Sequence, residues 1–351
     1  MRDVAVVSFA QAPSVRCDTE RNEVEILAPV VREAIERSGI PQREIGFTVS
    51  GSCDYLAGQP FAFVTALDAV GAWPPIRESH VEMDGAWALY EAWVALQCGE
   101  IDAALIYAFG KSSLGDIRDA LVLQLDPYYL APLWPDAVSL AALQARAFLE
   151  ATKYSERDLA EVAARSRASA KSNPKAQLAG DFQVDELLAK PYLVSPLRKH
   201  DCPPISDGAA AIVLAADGVA RRVCERPAWI RGIDHRIEPQ ALGARDLTKS
   251  ASTALAGEKA SVANGTIDVA ELHAPFSHQE LILREALGLD GGVTINPSGG
   301  ALAANPVMVA GLIRIGEAAR QIMEGHANRA VAHATSGPCL QQNLVCVLEA
   351  A

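Results

Sequence analysis

The segment from Asp84 to Cys98 constrains the fold more than any other stretch of the chain. Its apolar residues Ala86, Trp87, Ala88, Leu89, Trp93, Val94, Ala95 and Leu96 surround the axis of a helix. A helix that is apolar all round is buried inside a large core, not laid on a surface. Strand patterns flank it at Val4 to Phe9, Ile45 to Ser50, Ser79 to Met83 and Asp102 to Ala108, and an amphipathic helix spans Val24 to Ser38. Strands alternating with helices indicate an α/β protein with parallel pairing. With 351 residues, half of them hydrophobic, the chain has material for such a core and for two to three domain-sized units.

After the polar stretch Gly110-Lys111-Ser112-Ser113 the strand rhythm stops. Residues 114–199 read as an inserted region, with loops marked by Pro127, Pro132 and Pro135 and helices over Asp136 to Thr152 and Ser155 to Ser172. Strand character returns at Gly208 to Ala215. A second series follows: strand Ala228 to Ile233, helix Thr248 to Ala263, strand Ile267 to Leu272, helix Ser277 to Leu287, strand Gly292 to Ile295, helix Pro306 to Glu324, then strands Arg329 to His333 and Asn343 to Leu348. Both halves run β-α-β-α-β-α-β-β. The expected organisation is therefore a first half of residues 1–113 plus 200–220 and a second half of 221–351. Each half should form a five-stranded sheet, with helices layered between the two sheets.

Charge and cysteine usage narrow the function classes. The net charge of -12 repels phosphate backbones and anionic lipid surfaces, so neither nucleic acid nor a membrane is an expected partner. The apolar run Val4 to Ala10 is too short for a secretory core, and no run approaches the length of a membrane span. Seven scattered cysteines without a CxxC spacing argue for a reducing, cytoplasmic setting, and the seven histidines and seven cysteines form no cluster with metal-ligand spacing.

Three motifs stand in order: Ile205-Ser206-Asp207-Gly208-Ala209-Ala210-Ala211, His273-Ala274-Pro275-Phe276 and Asn296-Pro297-Ser298-Gly299-Gly300-Ala301. With the duplicated layout they resemble the thiolase superfamily over essentially the whole chain. The resemblance is nearest to the thiolase-like lipid-transfer proteins related to the thiolase domain of sterol carrier protein x. It implies a five-layered α-β-α-β-α fold built from two similar halves. It also implies an acyl-CoA, fatty acyl or steroid thioester as substrate, no separate cofactor, and a homodimer.

The same resemblance shows what this chain lacks. A catalytic thiolase carries a cysteine at the start of the buried helix, and matching Val81-Glu82-Met83-Asp84-Gly85-Ala86 on its glycine puts Glu82 at that position. The family's activating Gly-His-Pro matches Ala304-Asn305-Pro306, and asparagine donates a hydrogen bond but takes no proton at neutral pH. The family's Cys-x-Gly falls within His333-Ala334-Thr335-Ser336-Gly337-Pro338-Cys339, with Thr335 or Ser336 at the cysteine. His273-Ala274-Pro275-Phe276 resembles the retained His-x-x-Phe of sterol-carrier-type members.

The candidate catalytic residues are thus Glu82, Asp84, His273 and Asn305, and the candidate substrate contacts are Gly299, Gly300, Phe276, Ser336 and Cys339. Alternatives stand beside them. Glu82 and Asp84 also suit a helix N-terminus electrostatically, with Asp84 as its cap, His273 also suits a hydrogen-bonded structural role, and Gly299 and Gly300 also suit a tight turn. His278 and His333 read as structural and Cys339 as an inert thiol.

Two functions follow from the resemblance. One is a retro-aldol type enzyme that cleaves or forms a carbon–carbon bond on an acyl thioester without an acyl-cysteine. It would work, as in steroid degradation, with a small OB-fold/zinc-ribbon partner, with Glu82 or His273 as base and Asn305 as oxyanion contact. The other is a non-catalytic subunit that binds an acyl-CoA or lipid.

Overall fold

A computed structural model describes residues 2–289 and 291–351. The first half contributes strands β1 (Val4–Gln11), β2 (Phe47–Gly51), β3 (Glu78–Val81), β4 (Ala103–Lys111) and β5 (Asp207–Ala216). The second contributes β6 (Ala228–Ile237), β7 (Val269–Leu272), β8 (Thr294–Ile295), β9 (Arg329–Ser336) and β10 (Gln342–Glu349). Each half has the same spatial order, third-second-fourth-fifth-first, with the first three of that order parallel and the last two antiparallel.

The two sheets are not separate, as the sequence pattern implied. The edge strands β1 and β6 pair at Ala5 with Trp229 and Val6 with Ala228, which joins all ten strands into one ladder. This seam of two residue pairs leaves no periodic trace in the sequence, and the sheets still face each other across a helical layer.

That layer holds α3 (Gly85–Gln97) and α9 (Ala310–Met323). A single apolar cluster runs from Val6, Ile106 and Ile212 of the first sheet through Leu89, Leu96, Leu312 and Ile315 to Ala332, Leu344 and Cys346 of the second. Glycines allow the close approach: a Cβ on Gly85 would lie 2.6 Å from the Ala108 Cβ and 2.9 Å from the Leu312 side chain. On the outer face of the first sheet lie α1 (Glu23–Ser38) and α2 (Ala62–Val70). On the outer face of the second lie α7 (Ala251–Lys259) and α8 (Ser277–Ala286), covered by α5 (Ala137–Ala151) and α6 (Glu156–Ser169) from the long β4–β5 connection. That connection also carries α4 (Ile117–Leu123) and a small hairpin at Tyr192–Val194 and Leu197–Arg198.

Two expected helices are shorter than their apolar patterns. The one expected from Pro306 begins at Ala310, because Met308 takes a left-handed φ of 69° and ends helical continuity before it. The one expected over Thr248 to Ala263 runs Ala251–Lys259, capped by the Ser250 hydroxyl and closed by Ser261 at φ 63°. Among the described residues no helix is long and apolar enough to cross a membrane.

Candidate active site

Segments that end strands or open helices converge on one cavity of about 190 Å³. His273 follows β7, Thr335 and Ser336 end β9, Asp84 caps α3, and Asn305 lies between the short helix Gly300–Ala303 and α9. This is where α/β sheets place ligands, beyond the carboxyl ends of parallel strands. The walls are mainly apolar, from Leu121, Leu125, Leu140, Phe276, Met308 and their neighbours.

The hydrogen bonds of His273 fix its tautomer. The backbone N–H of Thr335 donates to Nδ1 at 3.3 Å, so Nδ1 carries no proton in the neutral ring and Nε2 must carry it. Nε2 then donates to Asn305 Oδ1 at 3.1 Å. The Asn305 amide is thereby oriented, and its Nδ2 has no partner among the described residues. The Asn305 backbone N–H donates to Ser206 Oγ at 3.0 Å, and that hydroxyl donates to Gln177 Oε1 at 2.6 Å. Burial, with His333 nearby, pushes the His273 imidazole down to about 3, so it is neutral at physiological pH. Both ring nitrogens are engaged, and an imidazole this weakly basic does not suit the base role expected of it. Its place in the chain is to orient and polarise Asn305.

Asp84 has a second, structural duty. Its Oδ1 accepts from the backbone N–H of Ala86 at 2.9 Å and Leu312 at 3.0 Å, and its Oδ2 from Gly311 at 2.9 Å. One carboxylate therefore serves the positive ends of both central helices. Burial raises its pKa, against these three amides and the more distant Arg314, which lower it.

Cys339 lines the cavity as a protonated thiol, pushed up to about 11 by burial, with Sγ donating toward Leu140 O at 3.5 Å. Phe276 and Ser336 also line it. His278 and His333 are fully buried and neutral: His278 Nε2 bonds Gln144 Oε1 at 3.1 Å, and His333 Nε2 bonds Asn343 Oδ1 at 3.0 Å.

Three candidates lie elsewhere. Glu82 is half exposed, accepts from the Asp54 backbone N–H at 2.9 Å and faces His80 Nε2 at 3.2 Å. Glu82 lies just past the end of β3, at a bend where the Met83 N–H donates to the Val81 carbonyl at 2.8 Å; Val81 and Met83 pack against the central core, and Glu82 is left beside His80. Gly299 and Gly300 form a turn outside the cavity wall. Gly299, at φ 98°, lies under the end of α6, where a Cβ would meet the Ala170 and Ala303 Cβ atoms at 2.7 Å. Ser166 Oγ donates to the Gly299 carbonyl at 2.5 Å. These glycines serve packing of the inserted helices on the second half.

Sequence reasoning missed the Thr335 N–H as the group that sets the histidine tautomer, and Ser206 as the acceptor that holds Asn305. Ser206 lay in a motif already singled out, but its partner is 99 residues away.

No family model matches the chain. It is 27% identical over 374 residues to an acetyl-CoA acetyltransferase of Methanothermobacter thermautotrophicus, covering 96% of this chain and 95% of that one. It is 24% identical to human sterol carrier protein 2, covering 98% of this chain and 70% of that protein. It is 23% identical to the non-specific lipid-transfer protein-like 2 of Caenorhabditis elegans, covering 81% and 78%. A solved structure described as an Ltp2-ChsH2(DUF35) aldolase superposes over 99% of this chain and 98% of its own, with a TM-score of 0.82 and 19% identity. With two halves of matching strand order around a shared helical layer, the chain has a thiolase-like fold, and it is similar to an acetyl-CoA acetyltransferase and to sterol carrier protein 2 along nearly its full length.

Proposed function

We propose that this protein binds an acyl thioester of coenzyme A in the cavity and cleaves or forms a carbon–carbon bond in it by retro-aldol or aldol chemistry, without an acyl-cysteine and without a cofactor of its own. The observation that carries the reading is the one-directional chain from Thr335 N–H through His273 to Asn305. It leaves an oriented amide donor in a mainly apolar cavity, where a donor aimed at a developing oxyanion is worth most. The lining thiol, Cys339, is protonated and has no base beside it among the described residues, which speaks against a thiolate nucleophile.

In the cleavage direction a base takes the proton of the β-hydroxyl, the Cα–Cβ bond breaks, and its electron pair passes into the thioester enolate. Asn305 Nδ2 stabilises that enolate, which then takes a proton at Cα. The products are a ketone or aldehyde and a shortened acyl thioester. Asp84 is the one carboxylate among the described cavity-lining residues and takes the role of base. Its raised pKa suits a proton acceptor working nearer neutrality than an exposed carboxylate. The similar aldolase structure carries a DUF35 protein in its description, and we carry to this chain the same kind of partner, a small OB-fold/zinc-ribbon protein, together with a homodimeric state and a cytoplasmic, lipid-degrading setting.

A second reading, a non-catalytic acyl-CoA or lipid-binding subunit, is favoured by the three backbone amides already spent on Asp84. The two separate in one experiment: the chain, alone and with the small partner, is given β-hydroxyacyl-CoA thioesters while released carbonyl and acyl-CoA are measured. Turnover without any labelled acyl group on protein supports the aldolase. Binding without turnover supports the subunit, and a trapped acyl-cysteine refutes both.

A further inference from the structure

Much of the cavity wall is built by the β4–β5 connection, and the dimensions of the cavity bear on what it holds. Leu121 and Leu125 from α4 and its C-terminal end, Leu140 from α5, and Phe276 face the space. Gln279 also lines it, but its side chain is spent, accepting from the Phe276 backbone N–H at 3.3 Å and donating to Gln144 Oε1 at 3.0 Å. An apolar wall of this kind offers no compensation for a buried charge or hydroxyl on the ligand.

The wall is held in place. Gln144 of α5, fully buried, donates to the carbonyls of Leu247 at 3.2 Å and Cys339 at 3.4 Å, and its Oε1 accepts from His278 and Gln279. Asp136 caps α5 by accepting from the Ser139 N–H at 2.7 Å. With its first turn capped and its middle clamped to two loops, α5 does not slide outward to enlarge the space.

Size then selects. An apolar cavity of about 150 Å³ is filled by one benzene molecule, which sets a scale of about 25 Å³ per carbon. The cavity of about 190 Å³ holds one six-membered ring with one or two further carbons, or a branched chain of similar bulk. A four-ring steroid nucleus of about 17 carbons needs about 400 Å³ on that scale.

Resting on the thioester reading above, we infer that the acyl group is compact and apolar, a single aromatic ring or a short branched chain of up to about eight carbons, and that Leu121 and Leu140 set this limit. A four-ring steroid nucleus exceeds this space and would have to project beyond it.

The test is equilibrium binding of the full chain to free coenzyme A, benzoyl-CoA, isovaleryl-CoA, palmitoyl-CoA and a steroid-acyl-CoA, followed by isothermal calorimetry. Benzoyl-CoA and isovaleryl-CoA should bind at least about ten-fold tighter than coenzyme A and than the steroid thioester, about 1.4 kcal/mol by the tenfold rule. Leu121→Trp should remove most of the benzoyl advantage. Leu140→Ala should improve binding of a two-ring naphthoyl-CoA at least about three-fold over the unaltered chain. Steroid or palmitoyl thioesters binding as tightly as benzoyl-CoA to the unaltered chain would overturn the size limit and leave the thioester reading standing. If no thioester binds better than coenzyme A itself, the thioester reading fails and the inference falls with it.

Discussion

Replacing His278 by Gln isolates one buried imidazole and gives a stability change whose pH dependence can be worked out beforehand. His278 has no exposed surface, its Nε2–H is spent on Gln144 Oε1 at 3.1 Å, and its Nδ1 has no partner among the described residues. Protonation would put a second N–H in an apolar setting with no acceptor, and burial accordingly pushes the group down to about 3. In the unfolded chain it titrates near its ordinary value of about 6.5. The folded pKa is the lower one, so the contribution is complete above about pH 6.5 and is lost as pH falls toward the folded value. From about pH 7.5 to about pH 5, protonation of the unfolded chain at this one site removes about 2 kcal/mol of stability.

His278→Gln keeps a donor toward Gln144 and removes the titration. The assay is urea unfolding followed by tryptophan fluorescence at both pH values for the unaltered chain and the variant. The variant should start lower at the higher pH, because a side chain of different shape is packed against Phe276. It should then lose about 2 kcal/mol less than the unaltered chain on acidification. Buried carboxylates such as Asp84 and Glu271 act in both proteins and cancel in the difference. Equal losses in the two would show that His278 is not held neutral in the fold and would refute the reasoning.

Three further outcomes are expected. Asn305→Ala should lower turnover by about 10²- to 10³-fold, the usual cost of one oxyanion donor, with a smaller effect on thioester affinity, as steady-state kinetics and calorimetry will separate. Alkylation by iodoacetamide at neutral pH should leave Cys339 unmodified in the folded chain, since its thiol is buried and pushed up to about 11, and peptide mapping will read this directly. Gly299→Ala should destabilise the chain by about 2 kcal/mol or more, from the left-handed φ and the 2.7 Å approach to Ala170, as a lowered urea midpoint.

The sequence carried the architecture because strands buried on both faces read as continuous apolar runs, as in Val4 to Phe9 and Gly208 to Ala215, although these two pair antiparallel and not parallel, and because a helix apolar all round has to lie between layers. It carried the site less evenly. Counting along the motif placed Glu82 at the nucleophile position, whereas the bend just past β3 leaves position 82 outside the core that receives Val81 and Met83. The glycines of Asn296 to Ala301 announced a turn but not the Ala170 methyl that packs on it, a contact between residues 129 positions apart in the chain. His273 was legible as a residue type. Its tautomer was not, because that depends on a backbone N–H 62 residues away.

Asp84 joins structure and proposed chemistry, and two substitutions take them apart. In Asp84→Ala all three amides of Ala86, Gly311 and Leu312 lose their acceptor in a dry setting, at about 1–3 kcal/mol each. A loss of several kcal/mol is expected, seen as a greatly lowered urea midpoint. In Asp84→Asn the remaining carbonyl oxygen still accepts from Ala86 and Leu312, and only the Gly311 N–H is left facing an amide NH₂, a cost of about 1–3 kcal/mol. The fold therefore persists in this variant while the proton acceptor is gone, and turnover should fall by about 10²- to 10⁴-fold with thioester binding retained. The pH profile carries the same assignment. In the unaltered chain activity should fall on acidification with a midpoint above the ordinary carboxylate range, because the working form is ionised and burial raises its pKa. Residual activity in Asp84→Asn should lack that acid limb. If the Asn variant keeps full turnover with an unchanged profile, Asp84 is a cap for two helices and nothing more, and the base must come from outside the residues that line this cavity.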